Sequence, residues 1–152
     1  MGRVCELYRI SDVDIDELSK LSYEESENFL DEKYACVDGE LHHKNDTVFS
    51  MDKGWDIVKF LLKKVAYPKH EILNQLDTRF IKSKEVKLIH KTIKDITIDD
   101  IMKVLNIPEM IEQKVYKAGV DDKNYINYHL KTYKTAFKKA SELNNGIVIH
   151  FY

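Results

Sequence analysis

Apolar residues recur at helical spacing through the middle of the chain. Met51, Trp55, Val58, Leu62 and Val65 share one stripe with Leu61 beside it, while Lys53, Asp56, Lys59 and Lys63 fall away from it. The pattern predicts a helix starting at Ser50 and ending near Lys64. Ser50 suits the N-cap, and Asp52 suits the first turn, where the helix dipole attracts a carboxylate. Trp55, the only tryptophan, is expected to be buried and to anchor the core.

On either side, the periods alternate between strand and helix. Arg3–Ile10 reads as a strand buried on at least one face. Ser11-x-x-Asp14 starts a short helix with Ile15, Leu18 and Leu21 inward, and the capping box Ser22-x-x-Glu25 starts a second, over Tyr23–Asp31. Tyr34–Phe49 has no clear period and holds the turn signals Asp38-Gly39 and Asn45-Asp46, so a long loop with at most a short extended piece is expected. Pro68 opens a short helix carrying Ile72, Leu73 and Leu76. Arg79–Ile81 reads as a short strand or an extended link. Ser83 caps a helix with Val86, Ile89, His90 and Ile93, and Thr97-x-x-Asp100 starts another that Asn106 and Pro108 stop. The longest helix begins at Asp121 or Asp122 and ends near Leu143, on the stripe Ile126, Leu130, Tyr133, Phe137 and Ala140. After the stop Asn144-Asn145-Gly146, Ile147–Tyr152 is a strand by residue type, and the N-terminal strand is its natural partner. The fold class is α+β, one helix-rich domain over 1–152 with a small sheet that includes both terminal strands.

Composition narrows the setting. With 152 residues, 43% hydrophobic and 33% charged, the chain suits a single soluble domain with a sizeable core. No apolar run approaches the ~20 residues of a membrane span, and Met1–Glu6 lacks the apolar core of a signal peptide. Cys5 and Cys36 read as reduced thiols, and the expected compartment is the cytoplasm. The net charge of −2 argues against bulk attraction to nucleic acid. Between Ser11 and Glu40, however, eleven acids face only Lys20 and Lys33, while Lys53–Lys94 is lysine-rich. Solvated helix faces explain this, and so does an acidic surface for a basic partner.

Met1-Gly2-x-Val4, the helix start Met51-Asp52-Lys53-Gly54-Trp55-Asp56, and Val115-Tyr116 followed by Gly119 are three short stretches that resemble the YfbM-like family, a bacterial domain of unknown function. The order of the last helix and last strand fits as well. Lys117 stands where that family is expected to carry proline, and residues 68–83 lack its Gly-rich character. The resemblance implies a compact α+β domain and no particular activity.

Candidate chemistry is sparse. His42 and His43, with Asp38, Glu40 and Asp46 near in sequence, are weak metal candidates, because adjacent residues of a strand point to opposite faces and no established zinc spacing supports them. Asp52 and Asp56, one turn apart on the expected helix, are a candidate carboxylate pair. The simpler reading sets Asp52 against the helix dipole and Asp56 against Lys59 or Lys53. Cys5 becomes a candidate nucleophile only with a histidine beside it, which His150 would supply if the terminal strands pair, but a small buried thiol is the ordinary expectation. Tyr125, Tyr128, Tyr133 and Tyr152 lie near Lys131, Lys134, Lys138 and Lys139, a pairing seen in single-strand binders, yet no recognition module accompanies them. Phosphate-loop, dinucleotide and nucleophile-elbow signatures are absent.

Two function classes follow. The first is a non-enzymatic protein-binding domain, including an immunity-type toxin inhibitor, that meets a basic partner through Asp12, Asp14 and Asp16, with Asp52, Trp55 and Asp56 as further binding candidates. The second is an enzyme of unfamiliar type with a site near the Trp55 helix or the His42-His43 loop. Neither a cofactor nor a nucleic-acid or membrane partner is expected.

Overall fold

The alternation at Arg3–Ile10 forms β1, Cys5–Ile10, and it lies inside the sheet with neighbours on both edges. In the computed structural model, which describes residues 2–37, 40–41 and 47–152 (35–37 and 40–41 as backbone alone), a four-stranded sheet runs β4-β1-β6-β5. Here β4 is Val48–Asp52, β5 is Phe80–Ile81 and β6 is Gly146–Phe151. All pairs are antiparallel, and β1 meets β6 from Cys5 opposite Phe151 to Ile10 opposite Gly146. The two terminal strands therefore pair as expected. A separate two-residue ladder joins β2, Cys36–Val37, to β3, Glu40–Leu41.

Alternation sends successive side chains to opposite faces, and here both faces are covered. Cys5, Leu7, Phe49, Met51, Ile81, Ile147 and Ile149 pack with the larger helical layer. That layer contains α3 (Trp55–Ala66), α4 (Ser83–Ile93), α5 (Ile98–Val104), α6 (Ile107–Glu112) and α7 (Lys123–Glu142). Tyr8, Ile10, Val48 and Val148 face the other way, onto Ile15, Leu18 and Leu30. Those three come from α1 (Asp12–Leu18) and α2 (Tyr23–Leu30), the latter continued by a π-turn over Asp31–Ala35. The fold is α+β, a small antiparallel sheet between a thick and a thin helical layer. No helix among the described residues is long and apolar enough to cross a membrane.

Helix starts follow the caps. Ser11 accepts from the Asp14 N–H, and the boxes Ser22/Glu25 and Thr97/Asp100 are both closed. Asp122 caps α7, whose stripe Ile126, Leu130, Tyr133, Phe137 and Ala140 is wholly buried.

Five expectations are corrected. The Trp55 helix does not begin at Ser50. Val48–Asp52 is an edge strand with Ser50 exposed and Met51 buried, and Met51 lies at a position that fits either period. The helix starts after Gly54, where a Cβ would meet the His129 ring at 2.4 Å, so close packing by α7 selects glycine. Asp52, at φ 43°, turns the chain between the two elements. Val48 and Phe49 thus leave the expected loop, whose other described part holds β2 and β3. His42, His43 and the turn signals at 38–39 and 45–46 lie outside the described residues. Ser83 is the first residue of α4 and not its cap. Pro68 follows a cis bond, and the helix after it is a 3-10 helix over His70–Asp77. Asn106 does more than end α5: its side chain caps α6 by accepting from the Glu109 N–H at 3.1 Å.

Candidate functional site

β6 runs further than its neighbour β5, and the gap this leaves organises the site. β5 covers only Ile147 and Val148, and the Arg79 carbonyl accepts from the Ile149 N–H at 2.8 Å. Beyond that point Tyr23 of α2 caps the edge. Its hydroxyl donates to the Phe151 carbonyl and accepts from the Phe151 N–H at 3.3 Å. Beside this edge a cleft of about 190 Å³ opens against the start of α3 and the end of the 3-10 helix.

Aromatic rings form its walls. Trp55 is half-buried, not a core residue, and packs edge-on to Phe151 with centroids 4.7 Å apart and stacked on Tyr116 at 5.7 Å. Its indole N–H donates to the Arg3 carbonyl at 3.3 Å, and the Arg3 guanidinium lies 4.4 Å from the Phe151 ring centre. Cys5, Tyr133 and Ile149 lie beneath. Tyr133 is 2% exposed, and its hydroxyl bonds to no described residue.

The charges in the cleft divide into a paired set and an unpaired one. Lys59 lies 2.9 Å from Asp77 and 3.2 Å from Asp56, and Lys63 lies 2.6 Å from Asp77. Burial would lower the Lys59 pKa, but the bond to Asp77 and the charges of both acids outweigh it and hold the pKa above its usual value. Asp77 is held below the usual carboxylate range: burial alone would raise it, and the two lysines prevail. Arg79 has no carboxylate within ion-pair distance among the described residues, although its guanidinium is partly desolvated and its pKa lowered by burial. Its Nε is buried and unpartnered, and the guanidinium lies 4.4 Å from the Tyr23 ring centre.

Arg79 also fixes the protonation of His150 beneath it. Arginine only donates, so the contact of 3.2 Å from its Nη2 to His150 Nδ1 leaves Nδ1 as acceptor. The Nε2–H of the neutral ring then points to Glu27 Oε1 at 3.4 Å. Burial lowers the His150 pKa, Glu27 opposes this and Arg79 adds to it. Tyr8 lies on the same face. Its hydroxyl donates to Glu6 at 2.9 Å and meets the Tyr152 hydroxyl at 2.6 Å, and burial together with these neighbours pushes the Tyr8 pKa upward.

The residues singled out in the sequence scatter. Asp12 accepts from the Ser83 N–H and hydroxyl at the start of α4. Asp14 is buried and accepts from Lys33 at 2.9 Å and from the Tyr34 hydroxyl; burial alone would raise its pKa, but these bonds bring it below the usual range. Asp16 pairs with Lys82 at 2.5 Å. Asp52 and Asp56 do not share a helix. Asp52 closes β4, whereas Asp56 accepts from the Tyr116 N–H at 2.8 Å and pairs with Lys59. Cys5 and His150 lie on adjacent strands but on opposite faces, since His150 is opposite Glu6. Burial pushes the Cys5 thiol up to about 12. No group of three or more His, Cys, Asp or Glu able to hold a metal occurs among the described residues. Of the sequence candidates only Trp55 borders the cleft, along with the considered Cys5 and Tyr133. Arg79, Lys59 and Tyr23 were not legible as a group. The one signal was rarity, for Arg79 is one of three arginines in a lysine-rich chain, and arginine is the residue suited to forked or stacked contacts.

Comparison with known proteins adds a family and a fold. A family model described as "Domain of unknown function (DUF1877)" matches residues 1–150. Among solved structures, the crystal structure of YfbM from Escherichia coli, described as a protein of unknown function, is similar. It has a TM-score of 0.63 at 14% identity and covers 98% of this chain and 99% of that one. A search of curated proteins finds no match.

Proposed function

We propose a binding role for this chain, which belongs to the DUF1877 family of domains of unknown function: a non-enzymatic domain whose ligand enters the cleft beside Trp55. The observation that carries this reading is the partly desolvated Arg79 guanidinium, with no carboxylate within ion-pair distance among the described residues, in a concave site walled by aromatic rings. A partly desolvated cation without a counter-charge is costly, and an anionic or accepting ligand group at its open end offsets that cost. Catalysis fits less well. The thiol and phenol bordering the cleft, Cys5 and Tyr133, are held protonated at neutral pH by burial, so neither is poised as nucleophile or base.

The test is thermal stabilisation of the full chain by panels of organic acids, nucleotides, sugars and amines, repeated on Thr78→Trp, which fills the cleft mouth from an exposed position. A compound class that raises the melting temperature of the original protein but not of the variant supports the reading. Stabilisation that is equal in both proteins, or absent across all panels, sinks it.

A second reading is a protein partner with a basic surface, of which an immunity-type inhibitor of a toxin is one form. Val13, 71% exposed and flanked by Asp16 and Glu17, favours it. Because Asp12 and Asp14 hold internal bonds, the contact would fall on Val13, Glu17 and Glu24. Charge reversal at Glu17 and Glu24 that leaves partner capture unchanged would exclude it.

A further inference from the structure

We infer that the cleft takes a small monocarboxylate with a flat apolar body, its carboxylate on the free edge of Arg79 and its body against Trp55 and Phe151. This rests on the cleft being the binding site and adds the chemistry of the occupant. The anionic end follows from Arg79. Its Nε is sealed from solvent and its Nη2 meets neutral His150, so a ligand would reach the outer Nη end, and no carboxylate among the described residues lies within ion-pair distance, Glu27 acting on it only from further off. A guanidinium edge matches the two oxygens of a carboxylate.

The single charge follows from the neighbours. Lys59, the other cation of the cleft, is already shared between Asp56 and Asp77, and Asp77 borders the same space. A dianion such as phosphate would meet one uncommitted cation and one carboxylate, and like charges repel at this range. The flat body follows from the ring faces, and the small size from about 190 Å³, below the ~300–1,000 Å³ of drug-sized sites. At the floor the unbonded Tyr133 hydroxyl offers a further polar contact.

Trp55 is the only tryptophan, so its emission reports the cleft directly. The full chain is titrated with phenylacetate and benzoate, with their neutral amides, and with inorganic phosphate. Both acids are expected to change the emission saturably. Each amide should bind at least about 10-fold more weakly, and phosphate should have no effect at the same concentrations, since hydrogen bonds to charged groups are the stronger ones. Arg79→Lys, which keeps the charge and loses the fork, should weaken the acids about 10-fold and leave the amides unchanged. Amides binding as tightly as acids, phosphate binding more tightly than either, or acid binding unaltered in Arg79→Lys each overturn the carboxylate. So does silence from all probes. The amide comparison needs no variant, so the inference stays falsifiable if Arg79→Lys misfolds. The cleft itself is judged separately: a different compound class that stabilises the original protein and not Thr78→Trp would keep the site and discard the acid.

Discussion

Asp12, in the first turn of α1, holds Ser83 at the start of α4 twice, accepting from its N–H at 2.9 Å and from its hydroxyl at 2.6 Å. The two residues are 71 positions apart in the chain. Lys82, which precedes Ser83, caps nothing with its own side chain. A carboxylate from the thin helical layer therefore does the work of an N-cap for a helix of the thick layer.

Removing that carboxylate has a calculable effect. Asp12→Ala should lower stability by about 1 kcal/mol, the usual cost of losing a cap. Asp16→Ala removes a pair whose side chains are 58% and 49% exposed and should change stability by no more than about 0.5 kcal/mol. Urea unfolding of both variants separates the cases, and equal losses would show that Asp12 is not a cap.

Acidification should weaken the fold below about pH 6.5, the ordinary histidine value. Burial depresses His129, His90 and His150, with Asp52 opposing at His129 and Lys94 adding at His90. A group whose native pKa is depressed contributes fully above its unfolded pKa. That contribution is lost as pH falls through the native value, because the unfolded chain takes up the proton first. Urea midpoints should stay level near pH 7.5 and fall between about pH 6.5 and 5.5, and replacing His150 with Gln should reduce that fall. A midpoint that rises on acidification would contradict the sign.

The Cys5 thiol should resist alkylation in the native state. With its pKa at about 12, roughly one molecule in 10⁴ carries a thiolate at pH 8, and the side chain is buried. Mass spectrometry of the Cys5 peptide after iodoacetamide treatment should show modification that rises only with denaturant. Rapid labelling without denaturant would mean that the cleft floor is open.

Gly146→Ala should destabilise the protein by about 1–3 kcal/mol through overpacking. A Cβ there would lie 2.5 Å from the Ile81 carbonyl oxygen and 2.3 Å from Ile15 Cδ1, and the carbonyl belongs to a paired strand that cannot step aside. Thermal unfolding measures the loss, and an unchanged midpoint would refute the tight approach.

What the sequence made legible follows the range of each interaction. Caps and stripes are local, so Ser22/Glu25, Thr97/Asp100 and the α7 stripe were readable from spacing alone. The pairing of the terminal strands was readable because Ile147–Ile149 demanded burial. Met51 misled because it fits both a helix ending at Val65 and a strand alternating with Ser50. The acids of α1 looked like a free surface because their partners, Ser83 and Lys82, come from a distant element. Arg79 was hidden for the same reason: its meaning depends on His150 and Tyr23, which only the folded sheet edge brings to it.

The central pairing of β1 with β6 also sets the order of events during synthesis. β1 and β4 emerge from the ribosome early, but β1 has one open edge until residues 146–151 are made, and residues 53–145 must be translated in between. At roughly 5–20 residues per second, the half-sheet waits for several seconds with an apolar strand uncovered. The nascent chain therefore carries an uncovered apolar strand, a target for a holding chaperone, until β6 has left the ribosome and paired with β1.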